Sequence, residues 1–150
     1  MRIEGEHVFN GSREEVWAMV RDPEVLAAML PGTTQLNQLS ENEYEGAINL
    51  RIGPITGNFS GRIVVEDERP PEHCKLVAEG EGRPGFFKGS GTVDLVEQDG
   101  GTLMKYEGEI QIGGKLASIG QRLIDMTSKT MITQGMKALD ATLESRQAEA

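Results

Sequence analysis

Few side chains in this 150-residue sequence carry chemistry beyond packing and solvation. Two histidines, one cysteine and two tyrosines stand among 24 acidic and 15 basic residues. His7 falls on the apolar side of an alternating run with no acid–base partner in view, so a satisfied core histidine is the better reading than a base. His73 and Cys74 are adjacent, and adjacent residues of a strand point to opposite faces, so they do not pair as base and nucleophile. Glu66 with Glu68, and Glu107 with Glu109, share outward faces and read as solvated carboxylates. Gly80-Glu81-Gly82 and Gly113-Gly114-Lys115 lack the spacing of a phosphate loop. A conventional zinc site would need unusual ligands. The residues therefore assign no catalytic group, metal or cofactor.

What remains is apolar binding chemistry, which folded elements must position. The composition is 37% hydrophobic and 26% charged, that of a folded soluble chain. A net charge of −9 without a Lys/Arg run excludes a phosphate-tracking surface, so no nucleic-acid partner is expected, nor a purely electrostatic hold on an anionic membrane. A lone Cys74 makes no internal disulfide and fits a cytoplasmic location. No apolar run has the length of a signal peptide or transmembrane helix, which limits expected membrane contact to a peripheral one.

The elements follow from periodicity. Arg2 to Phe9 alternates as a half-buried strand. Ser12-Arg13-Glu14-Glu15 reads as a capping box opening a short helix, and Asp22-Pro23 opens a second that stops at Pro31-Gly32. Six alternating strands follow to Gly113, punctuated by Gly53-Pro54, Pro70-Pro71, Pro84-Gly85 and Asp99-Gly100. Lys115 to about Gln147 reads as one helix, with residues 146–150 a frayed tail. Its apolar stripe runs through Leu116, Ile119, Leu123, Thr127, Thr130 and Met131, then moves to Ile132, Met136, Leu139 and Leu143. Residues 1–150 thus form one α+β domain: a strongly curved antiparallel sheet of about seven strands around a long C-terminal helix, with two short helices after the first strand.

Glycine occurs 19 times while aromatics make up 5%. Gly46, Gly57, Gly61, Gly89, Gly91 and Gly108 all take inward strand positions, which lets the sheet curl and removes volume beneath the helix. A cavity there is expected, with relief of backbone crowding as the competing explanation. The expected lining is Ile48, Leu50, Phe59, Phe87, Met104 and Tyr106 from strands, and Ile119, Leu123, Met126 and Thr130 from the helix. Phe86 beside Phe87 reads as a guard at an entrance, and Tyr106, Thr127 and Thr130 as the polar groups that orient a ligand. For any one of these residues, ordinary core packing is the alternative.

Asp22-Pro23-Glu24-Val25-Leu26 to Leu30-Pro31-Gly32, Gly53-Pro54-Ile55 to Phe59-Ser60-Gly61, and Gly113-Gly114-Lys115-Leu116-Ala117 to Gly120-Gln121-Arg122-Leu123-Ile124-Asp125 resemble the carbon monoxide dehydrogenase G-subunit family over residues 2 to 145. The resemblance implies the START-like, helix-grip (SRPBCC) fold, whose members hold lipids, sterols, polyketides or hormones under a long C-terminal helix. It further implies an accessory role beside a molybdenum-containing carbon monoxide dehydrogenase or related hydroxylase, in maturation or membrane association, with a quinone or lipid as guest. No family catalytic residue carries over. Longer members continue into a linker and a membrane-anchoring tail; this chain stops after the helix, so membrane contact is expected to be peripheral.

The leading expectation is therefore a non-enzymatic accessory protein with a lipophilic small-molecule ligand and a molybdenum hydroxylase as partner. A cyclase- or dehydratase-type enzyme, using His7 or Tyr106, is the second. A pure interaction protein, homo-oligomeric or otherwise, working through Ile132, Met136, Leu139 and Leu143 is the third, and packing of that stripe on the two short helices is its plainer alternative.

Overall fold

The computed structural model describes residues 1–30 and 32–149. Strand β1 (Arg2–Phe9) leads into α1 (Arg13–Val20) and α2 (Pro23–Met29). The strands β2 (Thr33–Ser40), β3 (Glu43–Ile52), β4 (Ile55–Arg69), β5 (His73–Gly82), β6 (Gly85–Gln98) and β7 (Gly101–Gly113) follow, and α3 (Gln121–Glu149) closes the chain. The seven strands form one antiparallel sheet in the order β1-β7-β6-β5-β4-β3-β2. Because β1 and β2 occupy opposite edges, the α1–α2 connection has to cross from one edge to the other. The architecture is the expected curved sheet and long helix.

Local chemistry explains the helix starts. Ser12 Oγ accepts from the Glu15 amide at 3.2 Å while Glu15 Oε1 accepts from the Ser12 amide at 3.1 Å, the reciprocal capping box. Asp22 Oδ1 accepts from the Glu24 amide at 2.9 Å, and Pro23 occupies the first turn of α2, where its missing N–H is not needed. Pro31, half of the expected helix stop, and Ala150 of the expected tail lie outside the described residues.

The C-terminal helix differs from expectation at its beginning and end. Gly114–Ile119 is a 3-10 segment, and Gly120, at φ 97° and ψ 147°, separates it from α3. That backbone conformation is one L side chains rarely adopt, which is why a glycine breaks the helix here. At the far end α3 runs to Glu149. Arg146 donates to Asp22 at 2.5 Å and Gln147 to the Asn10 carbonyl at 2.8 Å, so the segment expected to fray is tied to the rest of the fold.

The break also resets the helix phase. The buried residues of α3, Ile124, Gly135, Leu139 and Leu143, move round the helix by about 100° at 3.6 residues per turn, so the expected shift of face occurs within α3. Leu139 and Leu143 are 1% and 3% exposed and pack with Phe9, Val16, Met19, Val25 and Leu26, with Met136 alongside. Leu139, Leu143 and Met136 of the stripe expected as a docking surface therefore pack under α1 and α2, while Ile132 is half-buried.

Two packed cores result. The larger gathers α1, α2, the C-terminal half of α3 and one end of the sheet, including Tyr44, Val65, Cys74, Leu95 and Met104. The smaller holds Ile52, Phe59 and Leu116 at the opposite end, near the β3–β4 turn. Between them the inner face carries Ile48, Leu50, Ile63, Leu76, Val93 and Tyr106, apolar side chains that point under the helix yet are only half-buried. Side chains on a covered face that keep access to a water-sized sphere line a space.

Candidate functional site

That space is a cavity of about 450 Å³ between the inner face of the sheet and the first turns of α3. Its size falls within the range of small-molecule sites. Arg62, Glu79, Glu107 and Glu109 border it from the outward positions of their strands. Arg62 turns out to pair with Glu43, and Glu107 with Arg2 at 3.1 Å. The wall is accordingly almost wholly apolar.

Five of the six expected inward glycines act through backbone approach, while Gly57 makes room for the Pro84 ring. A Cβ on Gly61 would overlap the Glu79 carbonyl oxygen on β5, and Gly61 stands opposite both Gly46 and Gly80 in register. Gly46, Gly89, Gly91 and Gly108 likewise face a carbonyl oxygen of the next strand. Crowding relief thus explains their positions, and the curvature it permits produces the hollow. Two further glycines seat rings: Tyr106 lies across Gly5 and Phe87 across Gly80.

Of the residues expected at the site, Ile48, Leu50, Phe87, Tyr106 and Thr127 line the cavity. The others lie elsewhere for identifiable reasons. Phe59 is 2% exposed in the smaller core, packed on Phe87 with ring centroids 5.6 Å apart, and Met104 sits in the larger core. Phe86 alternates to the outer face, where it is 45% exposed and its ring covers Gly113. Ile119, in the 3-10 segment, packs against the smaller core, and Leu123 lies beside Gly53 of the β3–β4 turn. Met126 is 58% exposed on the outer side of α3, and Thr130 is exposed with its hydroxyl on the Met126 carbonyl. Extending the phase of Leu116 and Ile119 through Gly120 displaces the predicted helix face in part; the face that lines the cavity carries Ile124, Thr127, Ser128 and Met131, of which Thr127 and Met131 stood on the predicted stripe. Sequence reasoning also missed Leu36, Ile63, Leu76, Val93, Ile110 and Ile112, all inward by simple alternation.

His7, His73, Cys74 and Arg21 do not line the cavity. His7 Nε2 lies 2.9 Å and 3.0 Å from the two carboxylate oxygens of Asp140 on α3, a partner the sequence did not disclose. His73 Nδ1 lies 2.6 Å from Asp94. Cys74 is fully buried, and burial pushes its thiol up to about 11, so it stays protonated and unreactive. Arg21, at the end of α1, donates to Glu68, to the Tyr44 hydroxyl at 3.1 Å and to the Glu41 carbonyl at 3.0 Å. Burial pushes its guanidinium down, but the bonds to Glu68 and Tyr44 outweigh this and hold it above its ordinary value. This clasp fixes the phenol of Tyr44 at the larger-core end of the cavity. Among the described residues no group of three or more His, Cys, Asp or Glu is placed to hold a metal ion, and no helix is long and apolar enough to cross a membrane.

The family model for the G-subunit of carbon monoxide dehydrogenase (CoxG) matches residues 5–144. The chain belongs to that family. Among solved structures, this CoxG-family chain is similar to a conserved protein from Geobacillus kaustophilus, with 32% identity over 97% of this chain and 96% of that one and a TM-score of 0.91. A Mycobacterium smegmatis protein shares 15% identity over 97% and 92% of the two chains at a TM-score of 0.70. The Zhui aromatase/cyclase of a Streptomyces species shares 10% over 97% and 94%, at 0.69. The last two likenesses show the CoxG-family fold to be the helix-grip one and carry no more than that. None of the curated proteins matches the sequence.

Proposed function

We propose that this CoxG-family protein is a non-enzymatic accessory protein of a molybdenum-containing carbon monoxide dehydrogenase or related hydroxylase, and that it holds a lipophilic molecule, a lipid or a quinone, in the cavity under α3. Family membership supports the dehydrogenase context. The observation that carries the ligand reading is the apolar cavity of about 450 Å³ lying between two packed cores. A guest that loses roughly 300 Å² of apolar surface to water there gains about 7 kcal/mol before the cost of immobilisation. Residues Ile48, Leu50, Phe87, Tyr106 and Thr127 are the sequence-derived candidates that remain as ligand contacts.

A cyclase-type reaction needs an acid or base against the substrate. His7 is paired with Asp140 and does not line the cavity, so of the two candidates only Tyr106 could serve a cyclase-type reaction there. Peripheral contact with the inner membrane from the cytoplasmic side is the compatible location for such a carrier.

Organic extraction of the purified protein followed by mass spectrometry tests the reading. A lipophile recovered in stoichiometric amount supports it. An empty extract, together with failure to bind any neutral apolar fluorophore, refutes it.

A further inference from the structure

Within that cavity reading, on which the inference rests, we propose that Tyr106, Thr127 and Ser128 form its polar anchor and that the ligand is an uncharged lipophile presenting an oxygen acceptor such as a carbonyl. Seven hydroxyl-bearing residues border the cavity; Ser90 and Thr92 do so from outward positions of β6, which leaves Thr33, Tyr44, Tyr106, Thr127 and Ser128. Two are already engaged. Thr33 donates to the Leu30 carbonyl at 2.8 Å, and the Tyr44 oxygen accepts from Arg21 at 3.1 Å.

The other three have no hydrogen-bond partner among the described residues. Helix geometry makes this informative for α3. Thr130 and Thr142, on the same helix, donate to the carbonyls of Met126 and Ala138 four residues back, at 3.0 Å and 2.8 Å. Thr127 and Ser128 have the same opportunity and do not take it, so their hydroxyls remain available to the cavity. On the sheet side of the cavity, the Tyr106 ring and hydroxyl rest on Gly5, where the missing side chain lets the phenol lie flat. The sheet thus contributes one donor and the helix two.

The walls also define what is excluded. The Arg and Glu residues bordering the cavity sit at outward strand positions, and Arg62 and Glu107 are paired there with Glu43 and Arg2. A carboxylate or phosphate brought inside would lose its hydration with no counter-charge, a large penalty. A neutral carbonyl loses little and regains a hydrogen bond from a hydroxyl.

Prodan, a neutral naphthyl ketone whose emission moves to the red when its carbonyl accepts a hydrogen bond, is a suitable probe. Wild-type protein should bind it; Tyr106→Phe should weaken binding about five- to tenfold and shift the bound emission to the blue. Thr127→Val with Ser128→Ala supplies a second variant that spares the sheet. A medium-chain methyl ketone should displace prodan at far lower concentration than the fatty-acid anion of equal chain length. Unchanged affinity and emission in both variants would overturn the anchor while leaving the cavity reading intact. Equal displacement by the anion would overturn the neutrality of the ligand. Failure of the wild type to bind prodan or the ketone would overturn the cavity reading itself.

Discussion

Ala78→Leu should make the protein more stable, the reverse of what enlarging a core residue normally does. Ala78 lies on the inner face of β5 between Ile63 of β4 and Gly89 of β6 and borders the cavity. The substitution adds three carbon atoms. At about 0.8 kcal/mol per buried carbon they gain roughly 2.4 kcal/mol, and ordering a leucine side chain costs roughly 0.5–1 kcal/mol. The net gain is about 1.5 kcal/mol, which for a domain of this size raises Tm by about 3–6 °C. Cys74→Leu, two inward positions earlier on the same strand but fully buried in the larger core, is the control. Overpacking there should cost about 1–3 kcal/mol. Differential scanning calorimetry on solvent-extracted protein reads both. A fall in Tm for Ala78→Leu as large as that for Cys74→Leu would mean that the middle of the sheet is filled, and the hollow would not exist.

Three further outcomes are expected. Gly61→Ala forces a methyl into the Glu79 carbonyl of the neighbouring strand, and its urea midpoint should fall by the equivalent of roughly 2–4 kcal/mol although only one carbon is added. Arg21→Ala strands the partly buried Glu68 carboxylate and the Tyr44 hydroxyl; a loss of about 2–3 kcal/mol in chemical denaturation is expected, and a loss under about 0.5 kcal/mol would show the clasp to be decorative. The Cys74 thiol should resist alkylation at pH 8 in the native protein and react at once in urea. Because its folded value of about 11 lies above the ordinary 9.0, the unfolded chain releases its proton first, so stability should decline between about pH 9 and pH 11. Cys74→Ser should flatten that decline, and an unchanged alkaline limb in the variant would assign it to other groups.

Most of the fold was legible because a half-covered antiparallel sheet writes its faces as strict alternation. Helix starts were equally plain, since Ser12–Glu15 and Asp22–Pro23 satisfy amides through the residues' own side chains. The site was harder to read, for two physical reasons. Alternation tells which face Phe59 or Met104 occupies, but not where along the strand a packed core ends and a void begins; that depends on the three-dimensional curvature set by Gly61 and its neighbours. Helix phase, in turn, can be carried only along an unbroken helix. Gly120 interrupts it, so the predicted stripe kept Thr127 and Met131 of the cavity face but missed Ile124 and Ser128. Phe86 and Phe87 illustrate the remaining ambiguity: one lies on Gly113 outside, the other on Gly80 inside, and either assignment suits a strand that starts at a loop. The Arg21 contacts join α1, the β2–β3 turn and β4, a set that no local pattern announces.

The separation of the two cores from the hollow between them has an evolutionary consequence. Core residues such as Phe9, Met19, Leu139 and Phe59 do not line the cavity, while Tyr44, Ile52 and Leu116 belong to both core and wall. Substitutions at Ile48, Ile63, Leu76 or Thr127 can therefore explore new ligands while the thermodynamic foundations stay in place. A scaffold partitioned in this way can change its cargo without first surviving a destabilised intermediate.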